Sequence, residues 1–145
     1  MSDIDTTLRE IFTGTRTIAC VGASPKPARP SHYVSVYLKA QGYRVLPVNP
    51  GQAGKRLFGE VVAGRLADLE APVEMVDIFR RPEHVLSVVQ EAIEHLPSLR
   101  VIWMQMGIRN EEAARLARAH GLTVIQDRCP MVEIPRLFGT ARPLA

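Results

Sequence analysis

Five short apolar runs, TIACVG, YRVLPV, EMVDIF, RVIWMQ and LTVIQD, recur along the chain. Segments of helical periodicity separate them: from about Ser31 to Gln41, a short stretch near Ala67, Pro82 to His95, and Asn110 to His120. Short runs that are apolar on both faces suit strands buried in the middle of a molecule. Strands joined by crossover helices pair in parallel, with the helices laid on the sheet faces. Ahead of them, Ile4, Leu8, Ile11 and Phe12 stand at helical spacing before Gly14, which predicts an amphipathic helix over residues 3–13 along one edge of the core. The chain has 145 residues, 46% of them hydrophobic, enough for one buried core and too few for two. The expectation is a single domain over 1–145 with its core in 17–137.

Right-handed crossovers and short loops make this pattern an α/β fold, a Rossmann-like doubly wound five-stranded parallel sheet with helices on both faces, most simply in the order 3-2-1-4-5. Such sheets bind ligands beyond the carboxyl ends of their strands, so five loops carry the functional question: 22–31, 49–56, 79–82, 105–110 and 127–133.

The first of these, GASPKPARPS, departs from a dinucleotide fingerprint. Gly22 permits close approach of a phosphate to the backbone, but Ser24 and Pro27 stand where G-x-G-x-x-G needs glycines. Asn49 replaces the acidic residue that would hold a ribose. Pro25, Pro27 and Pro30 push Ser24, Lys26 and Arg29 toward extended backbone, which makes the loop stiff and holds two cations out from it. Pro30 next to Ser31 suits a helix start. After the second strand, PVNPG is rigid and nearly uncharged, a wall for a flat base. After the third, Arg80 and Arg81 precede a helix N-terminus and aim at the same crevice.

The net charge of +3 is concentrated at loops and element ends rather than in a stripe with interleaved aromatics. That distribution favours an anionic small molecule over nucleic acid. Neither an apolar run of about 18 residues nor a basic, apolar leader is visible, so a cytoplasmic protein without membrane contact is expected.

The segments GASPKPARPSHYV, GYRVLPVNP, VDIFRRPEHV, WMQMGIRNEEA and DRCPMVE, in order from about Thr17 to Leu137, resemble the small single-domain CoA-binding proteins, which are similar to the N-terminal CoA-binding domain of the succinyl-CoA synthetase alpha subunit. The resemblance implies coenzyme A, or an acyl-CoA, bound across the strand ends. By position it implies Gly22, Ala23, Ser24, Pro25 and Lys26 in the first loop with Arg29 and Ser31 on its far side, and Val48, Asn49 and Pro50 beside the adenosine. Phe79, Arg80 and Arg81 follow the third strand, and Gln105 and Gly107 the fourth. The synthetase carries a lysine shortly after its second strand; the nearest position here is Gln52, with Lys55 and Arg56 a few residues later. The synthetase's phosphorylated histidine belongs to a further domain, so a ligase reaction lies outside this chain. The reading is therefore a non-catalytic, accessory or regulatory module, with a protein partner or a second copy as further ligands. The alternative is an NAD(P)-binding oxidoreductase in which Arg29 or Arg56 reads a 2′-phosphate.

Residues for catalysis do not assemble. His32, His84, His95 and His120 lack the paired spacing of a zinc site, and no metal is expected. His32 is near enough to the first loop to donate to a phosphate. Cys20 belongs to the strand core, and Trp103, Met104 and Met106 read as core as well. Asp77 reads as a polar strand end. Cys129, beside Arg128 at a strand end, is placed to have a lowered pKa and to form a mixed disulfide with CoA.

Overall fold

The structure, a computed structural model, describes residues 3–144. The elements in chain order are α1 (Asp3–Gly14), β1 (Thr17–Val21), α2 (Pro30–Ala40), β2 (Arg44–Val48), β3 (Arg56–Leu57), β4 (Glu60–Val61), β5 (Met75–Ile78), α3 (Pro82–His95), β6 (Val101–Met104), α4 (Glu111–Ala119), β7 (Thr123–Ile125) and α5 (Pro130–Phe138). Short 3-10 turns lie at Pro50–Gln52 and Leu66–Asp68. The five apolar runs form one parallel sheet with helices on both faces, a Rossmann-like α/β fold.

The order of that sheet is β2-β1-β5-β6-β7, so the expected 3-2-1-4-5 is corrected. The third apolar run, β5, pairs with β1 (Val21 opposite Ile78) instead of lying beyond β2. Two residue-level facts require this. Pro47, in the middle of β2, has no N–H to give a further neighbour, which suits an edge strand. Every residue of β5 is buried, which suits the centre. Beyond β2 there is a single parallel bridge, from Val48 to Ala63, with the Ala63 N–H donating to the Pro47 carbonyl at 3.0 Å.

Alternation along the strands divides the core. Ile18, Cys20, Val45, Met75, Val101, Trp103 and Ile125 face α1, α2 and α5, whose Leu8, Phe12, Val34, Leu38 and Ile134 pack on them. Ala19, Val21, Val76, Ile78, Ile102, Met104 and Val124 face α3 and α4. α1 thus lies on a face of the sheet, where Phe12 meets Trp103 with ring centroids 5.4 Å apart.

Two elements were not expected. The β3–β4 hairpin turns on Phe58 (φ 57°) and Gly59 (φ 77°), both left-handed, as a two-residue primed turn requires. α5 occupies the segment expected to be a loop, despite Pro135 inside it.

Candidate functional site

β1 ends at Val21 and the chain turns through Gly22 at φ +92°, with the Gly22 N–H donating to the Val48 carbonyl at 2.9 Å. A Cβ on residue 22 would stand 2.4 Å from the Phe79 carbonyl oxygen. The loops after β1 and β5 therefore touch where their strands are neighbours. From that point α2 departs to one face and α3 to the other, the switch point of a doubly wound sheet.

Hydrogen bonds fix the first loop. The Ser24 hydroxyl accepts from the Lys26 N–H at 3.1 Å, and the Lys26 carbonyl accepts from the Arg29 N–H at 3.0 Å. Asn49 laces the loops after β1 and β2 together: its amide nitrogen donates to the Ala23 carbonyl at 2.7 Å and its oxygen accepts from the Gly51 N–H at 2.9 Å. His32 Nδ1 lies 2.8 Å from the Ser24 carbonyl and its ring packs edge-on to Phe58. His32 thus braces the loop from behind.

Two clefts open from this point and share Gly22, Asn49 and Arg80. The larger, about 790 Å³, is walled by Ser24, Pro25, Lys26, Arg29, Ser31, Phe79, Arg81 and Gln105 from the sequence-expected set. The smaller, about 470 Å³, is walled by Val48, Pro50, Gly64, Arg65 and Leu66. Both lie in the size range of small-molecule sites.

Charge around the larger cleft is uncompensated. Among the described residues, the side chains of Lys26, Arg29, Arg80 and Arg81 enter no ion pair, whereas Arg44, Arg65, Arg109, Arg128 and Arg136 each do. The helices that begin beside it, α2, α3 and α5, each start with proline and have no side-chain cap at Arg29, Arg81 or Cys129. α4, by contrast, is closed by Asn110, whose oxygen accepts from the Ala113 N–H at 2.9 Å. Helix starts without a side-chain cap and cations without an ion-pair partner on one rim are features that suit anionic groups.

Some expected residues fall elsewhere. Arg56 sits in the hairpin, on a separate groove with Arg44 and Glu60, away from both clefts. Ala23 is fully buried in the core, and contributes only its backbone. Gly107, at φ +84°, turns the chain behind Gln105 and gives its N–H to Asp127 at 2.6 Å. Met106 is 60% exposed on the cleft wall and is not core. Asp77 is fully buried rather than a polar strand end, and burial pushes its carboxyl up to about 7.

Cys129 does line the larger cleft, but its thiol is pushed up, not down. Burial is the main cause; N–H groups at the start of α5 oppose it only partly, and the Arg128 guanidinium is spent on Glu133 at 3.2 Å. That removes the electrostatic basis for a reactive thiolate. Sequence reading missed Tyr33, Ile108, Arg65 and Glu91 as cleft residues, whereas Gln52, the position nearest the synthetase's lysine, does line the larger cleft. Tyr33 follows from a helix starting at Pro30; Arg65 and Glu91 are brought together only by packing, at 3.6 Å.

The fold and its cationic rim define a doubly wound α/β domain with a cation-rimmed cleft at the carboxyl edge of the sheet. More particularly, the chain belongs to the CoA binding domain family, whose profile matches residues 16–135. It is 36% identical over 122 residues to the uncharacterized protein YneT of Bacillus subtilis (strain 168), covering 84% of this chain and 87% of that one. The structure of cell-free ID.343 from Thermus thermophilus superposes with a TM-score of 0.88 at 43% identity, covering 95% of this chain and all of that one. A hypothetical protein from Pyrococcus horikoshii OT3 superposes with a TM-score of 0.85 at 38% identity, covering 93% and 92%. No helix among the described residues is long and apolar enough to cross a membrane.

Proposed function

We propose that this chain binds coenzyme A, free or acylated, across the two clefts and works as a binding module for an acyl carrier rather than as a catalyst. The observation that carries the reading is the set of four cations, Lys26, Arg29, Arg80 and Arg81, left without protein counter-ions beside uncapped helix starts. Coenzyme A carries a pyrophosphate and a separate 3′-phosphate, and several spaced cations match that distribution better than one glycine turn does. Gly22, with no room for a Cβ, lets the loops after β1 and β5 approach closely where the two clefts meet. The smaller cleft, with Val48, Asn49, Pro50 and Leu66 on its walls, suits the adenosine. The larger runs on to Met106, Ile108 and Cys129, a more apolar lining suited to the pantetheine arm. When bound, the coenzyme supplies a thiol that carries the acyl group; the chain's own residues hold the phosphates and orient the arm.

Calorimetry at fixed salt with CoA, dephospho-CoA, NAD and NADP tests this. CoA binding that weakens on loss of the 3′-phosphate is the expected result; binding of NADP alone overturns it. Arg80→Ala and Arg81→Ala should each weaken CoA by about 1–3 kcal/mol if their guanidiniums bond to phosphate. Unchanged affinity in both removes them from the site.

A further inference from the structure

Asp77 is fully enclosed in the middle of the sheet, in register with Cys20 of β1 and Trp103 of β6. A carboxyl there is costly to desolvate, and a core built for stability alone would place an apolar side chain at that position. Only one of its oxygens is used. Oδ1 accepts from Gln105 Nε2 at 2.7 Å, while Oδ2 has no partner.

Gln105 is 5% exposed, immediately follows β6, and lines the larger cleft. Its amide nitrogen is tied inward to Asp77. The amide oxygen, at the other end of the group, is turned away from Asp77 and receives no hydrogen bond from any described residue. It is not fully enclosed, and the residue that carries it lines the larger cleft. The bond from Nε2 to Oδ1 settles which way the amide points, because the amide nitrogen donates and this carboxyl oxygen accepts whether or not the other oxygen carries a proton. Met106, Ile108 and Phe79 beside it are apolar, a wall against which one well-placed acceptor gives direction to an otherwise greasy chain.

We infer that the Gln105 carbonyl is a receptor for an amide N–H on the ligand's linear arm, and that Asp77 is its positioning residue, holding the amide in the accepting sense. The inference rests on the coenzyme A reading, since that arm contains secondary amides. It adds a site that recognises the arm independently of the phosphates.

Binding of CoA and of adenosine 3′,5′-bisphosphate, which has no arm, separates the two claims. In Gln105→Met and in Asp77→Val, CoA affinity falls about 3- to 10-fold, the worth of one neutral hydrogen bond, while the bisphosphate binds as before. Asp77→Asn, which keeps a carbonyl to accept from Gln105, retains CoA affinity. Unchanged CoA affinity in Gln105→Met, or an equal loss for both ligands, overturns the inference. Gln105→Met and Asp77→Asn decide the matter even if Asp77→Val does not fold. A wild-type chain that binds neither ligand overturns the coenzyme A reading itself, a distinct result.

Discussion

At the scale of single residues, the site depends on groups whose ordinary compensation has been withheld. Gly22 combines a left-handed φ of +92° with the Phe79 carbonyl 2.4 Å from where a Cβ would stand. Gly22→Ala should therefore cost about 2 kcal/mol or more in urea denaturation, through strain and through separation of the two loops. A variant as stable as wild type would show that the loops can part without loss. The four rim cations without counter-ions follow the same principle: a structural arginine, such as Arg136 bonded to Asp5 and Glu133, is satisfied within the chain, whereas Arg80 and Arg81 are not. Residue identity in the sequence marked both glycine and cations. It could not distinguish Arg80, at the junction of the clefts, from Arg56, drawn away into a hairpin.

At the scale of elements, α5 completes one face of the core. Ile134, 1% exposed, packs among the residues contributed by α1, α2 and the sheet, and Arg136 ties the helix to Asp5 of α1 at 2.8 Å. Because Cys129, at the start of α5, stands on the cleft, undocking the helix should open that wall. Ile134→Ala is expected to cost about 2–4 kcal/mol of stability, read from the thermal midpoint, with a loss of that size placing the helix firmly in the core. A cost below about 1 kcal/mol would mean that α5 is only loosely attached. This element was illegible in sequence for a physical reason: Pro135 removes a donor from the interior of a helix of only 9 residues that itself opens on Pro130. The hairpin was hidden similarly. Its primed turn uses Phe58 with Gly59, where asparagine or aspartate would have announced it.

At the scale of the whole molecule, Asp77 links stability to pH. Its carboxyl lies near 3.8 in an unfolded chain and is raised to about 7 here by burial, with the Gln105 hydrogen bond opposing. The folded state therefore binds the extra proton between those values. This group's contribution to stability is full below about pH 4, falls as pH rises, and is lost above about 7. Asp77→Asn should remove that decline, so the variant gains on wild type by up to about 1.4 kcal/mol per pH unit from pH 4 to 7, and the gap closes in acid. Denaturation at pH 5 and pH 8 checks the sign; a gap that is larger at pH 5 refutes it. The alternation of apolar runs and helical segments by itself determined the α/β class, because a run buried on both faces has nowhere to go but the inside of a parallel sheet. Gly22, the prolines and the basic loops determined where the cleft would be, because local backbone geometry and charge are written residue by residue. Only the tertiary structure decided that β5 lies against β1, that Arg56 lies on a separate groove from the two clefts, and that Gln105 bonds to Asp77. Each of these depends on which distant segments share a neighbour, and a linear pattern of polarity carries no distance between them.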